Sequence, residues 1–338
     1  MIVSFYDKDF KGLQNNASLV VDNASYKLIK KPVELNELSC TCEAFTENIQ
    51  PTFIIVKDDV GRYVYGSLAG VPELNKENKT EVNGTDLKTM LSSDVIIQPS
   101  TYSLVKDYLN YLFNEWNSQV MQGTINCELV IKESVQNVPF TNLVPTTEKR
   151  VVNGLSEFQT YLKYYGLYLE TQVDLVNKKV IFTIGKTMIN NLNIKLWEYG
   201  IRNYGKWVAD INECQGYFID SNGSWNTGIK WILTSNNEIT TTESNRDIFP
   251  IKRKVLINEE SLIKADIESL TTLLDSLYNE NIEIDAINLK PSFETNFAIY
   301  LEQGQSKYKD LPCGYLQYNV NGLVKFQIGY RYTDIKFI

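Results

Sequence analysis

The sequence predicts a mostly β protein with α+β insertions: two antiparallel β-barrel modules, with an α+β unit inserted between them. Three observations carry this reading. Short apolar runs punctuated by Asn, Asp and Gly fill residues 1–98. A long amphipathic stripe starts after Pro99 and opens a mixed segment to about residue 188. From residue 189 the β pattern returns and, apart from one helical insertion around residues 255–282, persists to residue 338.

The first module, 1–98, contains the runs Ile2-Val3-Ser4-Phe5-Tyr6, Ser18-Leu19-Val20-Val21 and Thr52-Phe53-Ile54-Ile55-Val56. Glu37 to Phe45 alternates polar with small or apolar residues, the period of a half-buried strand. Its last third, Gly61 to Pro99, is the most informative stretch. Two β-rich pieces, Tyr63–Gly66 and Thr80–Val82, flank a polar loop. Asn83-Gly84 then reads as a turn, and Thr85 as the cap of a short helix carrying Leu87, Met90 and Leu91. Val95-Ile96-Ile97 follows as a strand. A small helix plugged between barrel strands points to an assembly module.

The inserted unit, 99–188, begins with a helix whose stripe is Leu104, Val105, Tyr108, Leu109, Leu112, Phe113, Trp116 and Val120. Thr101 or Ser103 is placed to cap it. Cys127 to Ile131 reads as a strand. A second helix, Leu155 to Tyr165, stops at Gly166, the residue type that ends helices in the left-handed conformation. A hairpin turns at Asn177-Lys178. In the last module, 189–338, strands are expected at Ile194–Tyr199, Lys206–Ile211, Cys214–Ile219 and Gly228–Leu233. A third helix spans Asn258 to Tyr278 with the stripe Ile263, Ile267, Leu270, Leu274 and Leu277, and the terminal segment is β again.

Composition narrows the chemistry. Histidine is absent, which removes the commonest general base, metal ligand and partner of Ser or Cys nucleophiles. Five scattered cysteines, Cys40, Cys42, Cys127, Cys214 and Cys313, make a poor disulfide framework. Cys40 and Cys42 share one strand face, but a zinc site would need two more ligands and no second pair exists. Buried, reduced thiols are expected. The opening residues lack a signal peptide's basic and apolar regions, and no run of about 18 apolar residues appears. These features predict a chain made in a reducing cytoplasm, with no membrane span. The net charge of −8 is wrong for gripping phosphate backbones. The 21 tyrosines suit half-buried strands and wet interfaces.

No motif survives comparison with its chemistry. Gly200 to Trp207 fits G-x-x-x-x-G-K but has Trp207 where a magnesium-holding hydroxyl belongs, and a strand where a helix is required. Gly185-Lys186-Thr187 has Val180 in place of the first glycine. Ser103-Leu104-Val105-Lys106 and Ser261-Leu262-Ile263-Lys264 fit S-x-x-K, but each stands where a helix cap is expected. Carboxylate pairs such as Asp210 with Glu213, or Glu283 with Asp285, reflect the abundance of acidic residues. Tyr161, Tyr164, Tyr165 and Tyr168 could stack on a sugar, but they straddle a helix end and a strand, where a core is expected. No catalytic, cofactor-binding or metal-ligating residue is assigned.

Three segments carry a resemblance to a known family. The first runs from Tyr65-Gly66 through Val82-Asn83-Gly84-Thr85-Asp86-Leu87-Lys88 to Asp94-Val95-Ile96-Ile97. The second runs from Trp231 through Thr240 to Arg246-Asp247-Ile248-Phe249-Pro250-Ile251. The third is the helix before Tyr278-Asn279-Glu280-Asn281-Ile282-Glu283-Ile284, with the β segment after it. In order and spacing the chain resembles the baseplate hub family of tailed phages, including the N-terminal structural part of the tail-associated lysin (Tal) proteins.

That resemblance implies a homotrimer with two tube-forming barrels per subunit, six quasi-equivalent modules around one axis. It also implies a place at the virion tail tip, joined to the distal tail protein, with the tape-measure protein and receptor-binding proteins as further partners. DNA would only pass through the lumen, expected to be neutral to acidic. Ile251-Lys252-Arg253-Lys254 is the segment that tests this; it is expected on the outer surface or paired with Glu259 and Glu260. Many members continue into a lysin or fibre, whereas this chain stops at Ile338, so peptidoglycan cleavage is not expected of it. Two alternatives stay open: a carbohydrate-binding receptor-recognition protein of a tail tip, and a carboxylate-based hydrolase.

Overall fold

The computed structural model describes residues 1–13, 19–22, 25–42, 51–70, 72–99, 101–141, 143, 149–186, 191–195, 201–206, 211–236, 238–276, 280–287, 298–303, 306–328 and 336–337. The chain is mostly β, with three α-helices among these residues: α1 (Val105–Trp116), α2 (Gly154–Tyr165) and α3 (Leu262–Asp275). None of its described helices is long and apolar enough to cross a membrane.

One large sheet gathers strands from both ends of the chain. Its order runs Ile201–Lys206, Glu280–Ile287, Gly322–Ile328, Ser306–Asn319, Lys27–Lys30, Glu37–Cys42, Thr80–Thr85, Tyr63–Ala69, Phe53–Lys57, Ile2–Tyr6 and Leu19–Val20. The N- and C-terminal strands meet where Leu316, Gln317 and Tyr318 pair antiparallel with Lys30, Ile29 and Leu28. A common core holds the join: Phe5, Leu28, Ile54 and Val56 from one end pack with Leu316, Tyr318, Leu323 and Phe326 from the other. The described ladder is an open path, not a closed barrel. Its N-terminal part bends back on itself through the single bridge Val21–Cys42, beside the Asp22 N–H bond to the Thr41 carbonyl (2.7 Å).

The stretch around Asn83-Gly84 departs from expectation. It is no turn: Asn83 and Gly84 lie inside the strand Thr80–Thr85 and pair with Ser39 and Leu38. Glycine is required by crowding, because a Cβ there would sit 2.2 Å from Ser67 Oγ. The strand keeps Thr85 extended, so the cap moves one residue on. Asp86 accepts from the Lys88 N–H (3.1 Å) and opens a 3-10 turn, Leu87–Leu91. That turn is plugged into the core through Leu87, Lys88 and Leu91.

The central unit has a three-stranded sheet, Cys127–Ile131, Lys179–Lys186 and Leu167–Asp174, in which the last two form the expected hairpin. Arg150–Asn153 pairs antiparallel with Asp94–Ile97 and ties the unit to the first segment. Helix α1 buries Val105, Tyr108, Leu109, Leu112, Phe113 and Trp116, as its stripe predicts. Neither Thr101 nor Ser103 caps it. The Val105 N–H bonds instead to the Val138 carbonyl (3.0 Å), and the Ser103 carbonyl accepts from Phe140 (3.0 Å), so backbone from the next loop does the capping. Helix α2 ends at Gly166 with φ 62°, as the sequence predicts, and is capped by Asn153, which the sequence reading did not name.

Residues 211–276 form a further layer. The parallel-paired strands Arg253–Asn258 and Glu213–Ile219, then Trp225–Leu233, Glu238–Thr240 and Lys336–Phe337, make a five-stranded sheet. Helix α3 covers one face and is shorter than its sequence pattern. It starts after Ser261, whose hydroxyl accepts from the Lys264 N–H, and buries Ala265, Leu270, Leu273 and Leu274. Its stripe residue Leu277 lies outside the described residues. So do residues 43–50, which include the end of the Glu37–Phe45 alternation, and most of the 196–210 segment.

Candidate interaction surface

The structure scatters the sequence motifs. Residues 201–206, the middle of the G-x-x-x-x-G-K match, are a strand paired with Glu280–Ile287, not a phosphate loop; Gly200 and Trp207 lie outside the described residues. Gly185 and Lys186 end a strand, and Gly185 is packed against Tyr168, whose hydroxyl would stand 2.4 Å from a Cβ. Ser261 is a helix cap and Ser103 lends only its carbonyl. Asp210 lies outside the described residues, and Glu283 and Asp285 lie on the strand Glu280–Ile287. Of the tyrosines, Tyr161 is buried against Tyr108 and Phe140, and Tyr168 is buried with Lys132 over its ring. Tyr164 and Tyr165 pack edge to face at 4.6 Å. Cys40, Cys42, Cys127 and Cys214 are buried thiols that form no disulfide with one another, and burial pushes the Cys214 thiol up to about 11.

Among the described residues the buried charges form three structural clusters, apart from Asp266, which accepts from the Ile229 N–H (2.6 Å). In the first, Lys88 is wholly buried. Its Nζ donates to the carbonyls of Lys31 (2.9 Å) and Glu34 (2.7 Å), and lies 3.7 Å from Asp86 Oδ2. Asp86 also accepts from the Asn36 N–H (2.6 Å). Burial holds Lys88 below the ordinary lysine value, with Asp86 and Glu34 opposing. Lys163 on α2 pairs with Glu34 (3.0 Å) and extends the link to the central unit. In the second cluster, Glu157 on α2 takes the Tyr108 hydroxyl of α1 and the Arg150 guanidinium. In the third, Glu213 holds Arg246 and Arg253, and Arg246 also pairs with Glu243 (2.5 Å). The hydrogen bonds from Arg246 and Lys230 hold Glu243 down at about 2.

Sequence reasoning missed Lys88 and Glu157 as partners. A signal existed for Lys88: a turn with three residues per repeat eclipses positions three apart, so Lys88 shares the buried side with Leu91. Of the two outcomes expected for the basic stretch, pairing with Glu259 and Glu260 is the one that does not occur. Lys252, Arg253 and Lys254 are exposed, and Arg253 binds Glu213 (2.9 Å), while Glu260 binds Lys264.

What the surface offers is a sheet face. Opposite α3, the five-stranded sheet displays Trp225, Arg253, Val255 and Ile257, with Tyr217 half-buried and Gln215 buried among them. The alternation follows from the register, in which Gln215 pairs with Val255 and Tyr217 with Ile257. Arg253 reaches Gln215 Oε1 (2.6 Å) and the Tyr217 hydroxyl (2.9 Å) across this face. A separate crevice of about 310 Å³ lies between the large sheet and the three-stranded sheet. It is lined by charges of both signs, among them Lys30, Lys31, Lys132 and Glu170.

No family model matches the chain, and no curated protein matches it. Solved structures do. The tail protein of Neisseria meningitidis MC58 aligns with a TM-score of 0.53 at 10% identity, over 98% of this chain and 98% of that one. Prophage tail protein gp18 of Listeria monocytogenes EGD-e aligns with a TM-score of 0.51 at 11% identity, over 98% and 95%. A PdpA–VgrG complex gives 0.50 at 10% identity, over all of this chain and 65% of that one. At such identities the likeness is one of fold: this chain has the mostly β fold of those tail proteins.

Proposed function

We propose that this chain is a structural protein of a phage tail tip, a baseplate hub related to the N-terminal part of tail-associated lysins. It forms a homotrimeric ring that closes or extends the tail tube and anchors host-recognition components for DNA delivery. The observation that carries this reading is the end-to-end match to the Neisseria tail protein, 98% of each chain. In the ring, residues 1–98 and 189–338 supply the two tube-forming modules, with 99–188 outside them. The ladder between Leu316–Tyr318 and Leu28–Lys30 sets their relative position.

The distal tail protein is the neighbour above, with the tape-measure protein and receptor-binding proteins as further contacts. The chain acts without catalysis in this reading: the charges of the three buried clusters are tied to one another, and the S-x-x-K serine of α3 is spent on a cap. The lumen is neutral to acidic, in keeping with the charge of −8, so that duplex DNA slides through. Tight duplex binding in a mobility-shift assay at physiological salt contradicts that part. Mixing the protein with the distal tail protein of the same phage and imaging the product by negative stain tests the whole. Threefold rings stacked on the distal tail protein are expected; a mixture that never associates refutes it.

A further inference from the structure

Among the described residues the five-stranded sheet ends on an open strand. Arg253–Asn258 is the terminal strand of the order, paired in parallel with Glu213–Ile219 on its inner side. The Lys252 carbonyl accepts from the N–H groups of Asn212 (3.0 Å) and Glu213 (3.3 Å). Backbone groups alternate sides along a strand. Lys254 and Leu256 therefore address the inner neighbour, and the N–H and C=O groups of Arg253, Val255 and Ile257 point to the outer edge. Among the described residues no strand pairs with that edge.

The same edge is apolar. Val255 and Ile257 are 46% and 52% exposed, Phe249 and Ile251 lead into the strand at 70% and 49%, and Trp225 on the same sheet is 58% exposed. Folded proteins normally blunt such an edge with proline, a bulge, a cover or inward charge, because an unpaired apolar strand templates another strand. Here the strand proper, Arg253–Asn258, has β-branched residues at two of its outward positions and no proline, and among the described residues no strand covers its outer edge. Lys252 and Lys254 stand exposed at the alternate positions. The edge is thus a basic, apolar strip on a body whose net charge is −8.

We propose that this edge docks an extended, acidic and β-branched segment of another tail protein, which adds as a sixth strand beside Arg253–Asn258. Backbone hydrogen bonds to Arg253, Val255 and Ile257 set its register. Its apolar side chains continue the face of Val255, Ile257, Tyr217 and Trp225, and its carboxylates lie against Lys252 and Lys254. Strand addition of this kind draws affinity from the main chain and specificity from alternate side chains. Charge selects the occupant: a second copy brings another acidic body, whereas an acidic segment complements the strip. The proposal rests on the tail-assembly reading for the source of the partner.

The test uses the full chain and a fluorescent, end-capped heptapeptide probe, Glu-Val-Glu-Ile-Glu-Val-Glu, with a Lys-for-Glu peptide as control. Anisotropy should show saturable binding of the acidic probe that weakens as salt rises, and at least tenfold weaker binding of the control. Val255→Pro removes an outward N–H and leaves the inner ladder intact, as proline tolerates on an edge. It should weaken probe binding at least tenfold, while Val176→Ser, on a distant exposed turn, leaves it unchanged.

Amide exchange of the wild-type chain gives a readout independent of any variant's folding: the Val255 and Ile257 amides should slow when the probe is added. Absent or salt-independent binding, equal binding of the Lys peptide, equal binding by Val255→Pro, or unaltered exchange at those two amides overturns the proposal. So does a wild-type assembly that loses subunits on Val255→Pro with no probe present, which makes the occupant a second copy. Native mass without the probe examines the trimer separately: a monomer that binds the probe at this edge refutes the ring and keeps the site.

Discussion

Replacing Lys88 by methionine is the sharpest perturbation of this fold. The lysine stem is already buried, so methionine returns no new apolar contact of consequence. What is lost is polar. The carbonyls of Lys31 and Glu34 lose their common donor, and each unsatisfied buried acceptor costs about 1–3 kcal/mol. Asp86 keeps its bonds from the Asn36 and Lys88 N–H groups but loses its cation at 3.7 Å. Breaking a buried pair on one side costs about 3–5 kcal/mol, and that is the expected loss for Lys88→Met.

Chemical denaturation at pH 7 measures it. Tryptophan fluorescence is a suitable probe, because the Trp116 indole N–H bonds to the Met90 carbonyl (2.9 Å) of the same 3-10 turn. The midpoint should fall with little change in slope. A loss below about 1 kcal/mol refutes the idea that Lys88 staples this turn to the 31–34 loop.

Three further outcomes are expected. Gly216→Ala places a Cβ 2.4 Å from the Ala265 carbonyl oxygen and 2.6 Å from its carbon, so α3 must lift from its sheet; the cost is about 1–3 kcal/mol by equilibrium unfolding, and Ala265→Gly should not rescue it because the clash is with main chain. Alkaline pH should destabilise the fold. Burial raises the Tyr26, Tyr65, Tyr108 and Tyr161 hydroxyls above their ordinary value, and Tyr165 to about 12. Above pH ~10 the unfolded chain therefore holds fewer protons than the folded one, and stability, complete below that pH, falls as pH rises; ultraviolet titration at neutral-to-high pH should show these phenols ionising only with unfolding. A zymogram on bacterial cell walls should show no lysis band at the mass of this chain, and a band abolished by changing one carboxylate would make it a hydrolase.

Much of this was legible in the sequence where periodicity is strong. The stripe from Val105 to Trp116 and the Gly166 stop are local signals, and both appear in the structure as read. Local signals failed where tertiary crowding decides. Asn83-Gly84 has the composition of a turn, yet Ser67 packed beneath Gly84 makes that glycine a strand residue. Ser103 has the composition of a cap, yet the Val138 carbonyl already serves the helix. The union of N- and C-terminal strands in one sheet rests on a pairing between residues nearly 290 positions apart in sequence, Leu316–Lys30 being one. No local pattern encodes such a pairing. The open edge at Arg253–Asn258 was visible only as a basic run; its apolar side emerged once the register put Val255 and Ile257 beside Gln215 and Tyr217.

The central claim is a threefold ring, and native mass spectrometry of the purified protein, alone and with the distal tail protein, tests it most directly. One chain weighs 38.8 kDa. The ring predicts a species of three chains, about 116 kDa, or multiples of it. A chain that remains at 38.8 kDa even with its tail partner present contradicts it.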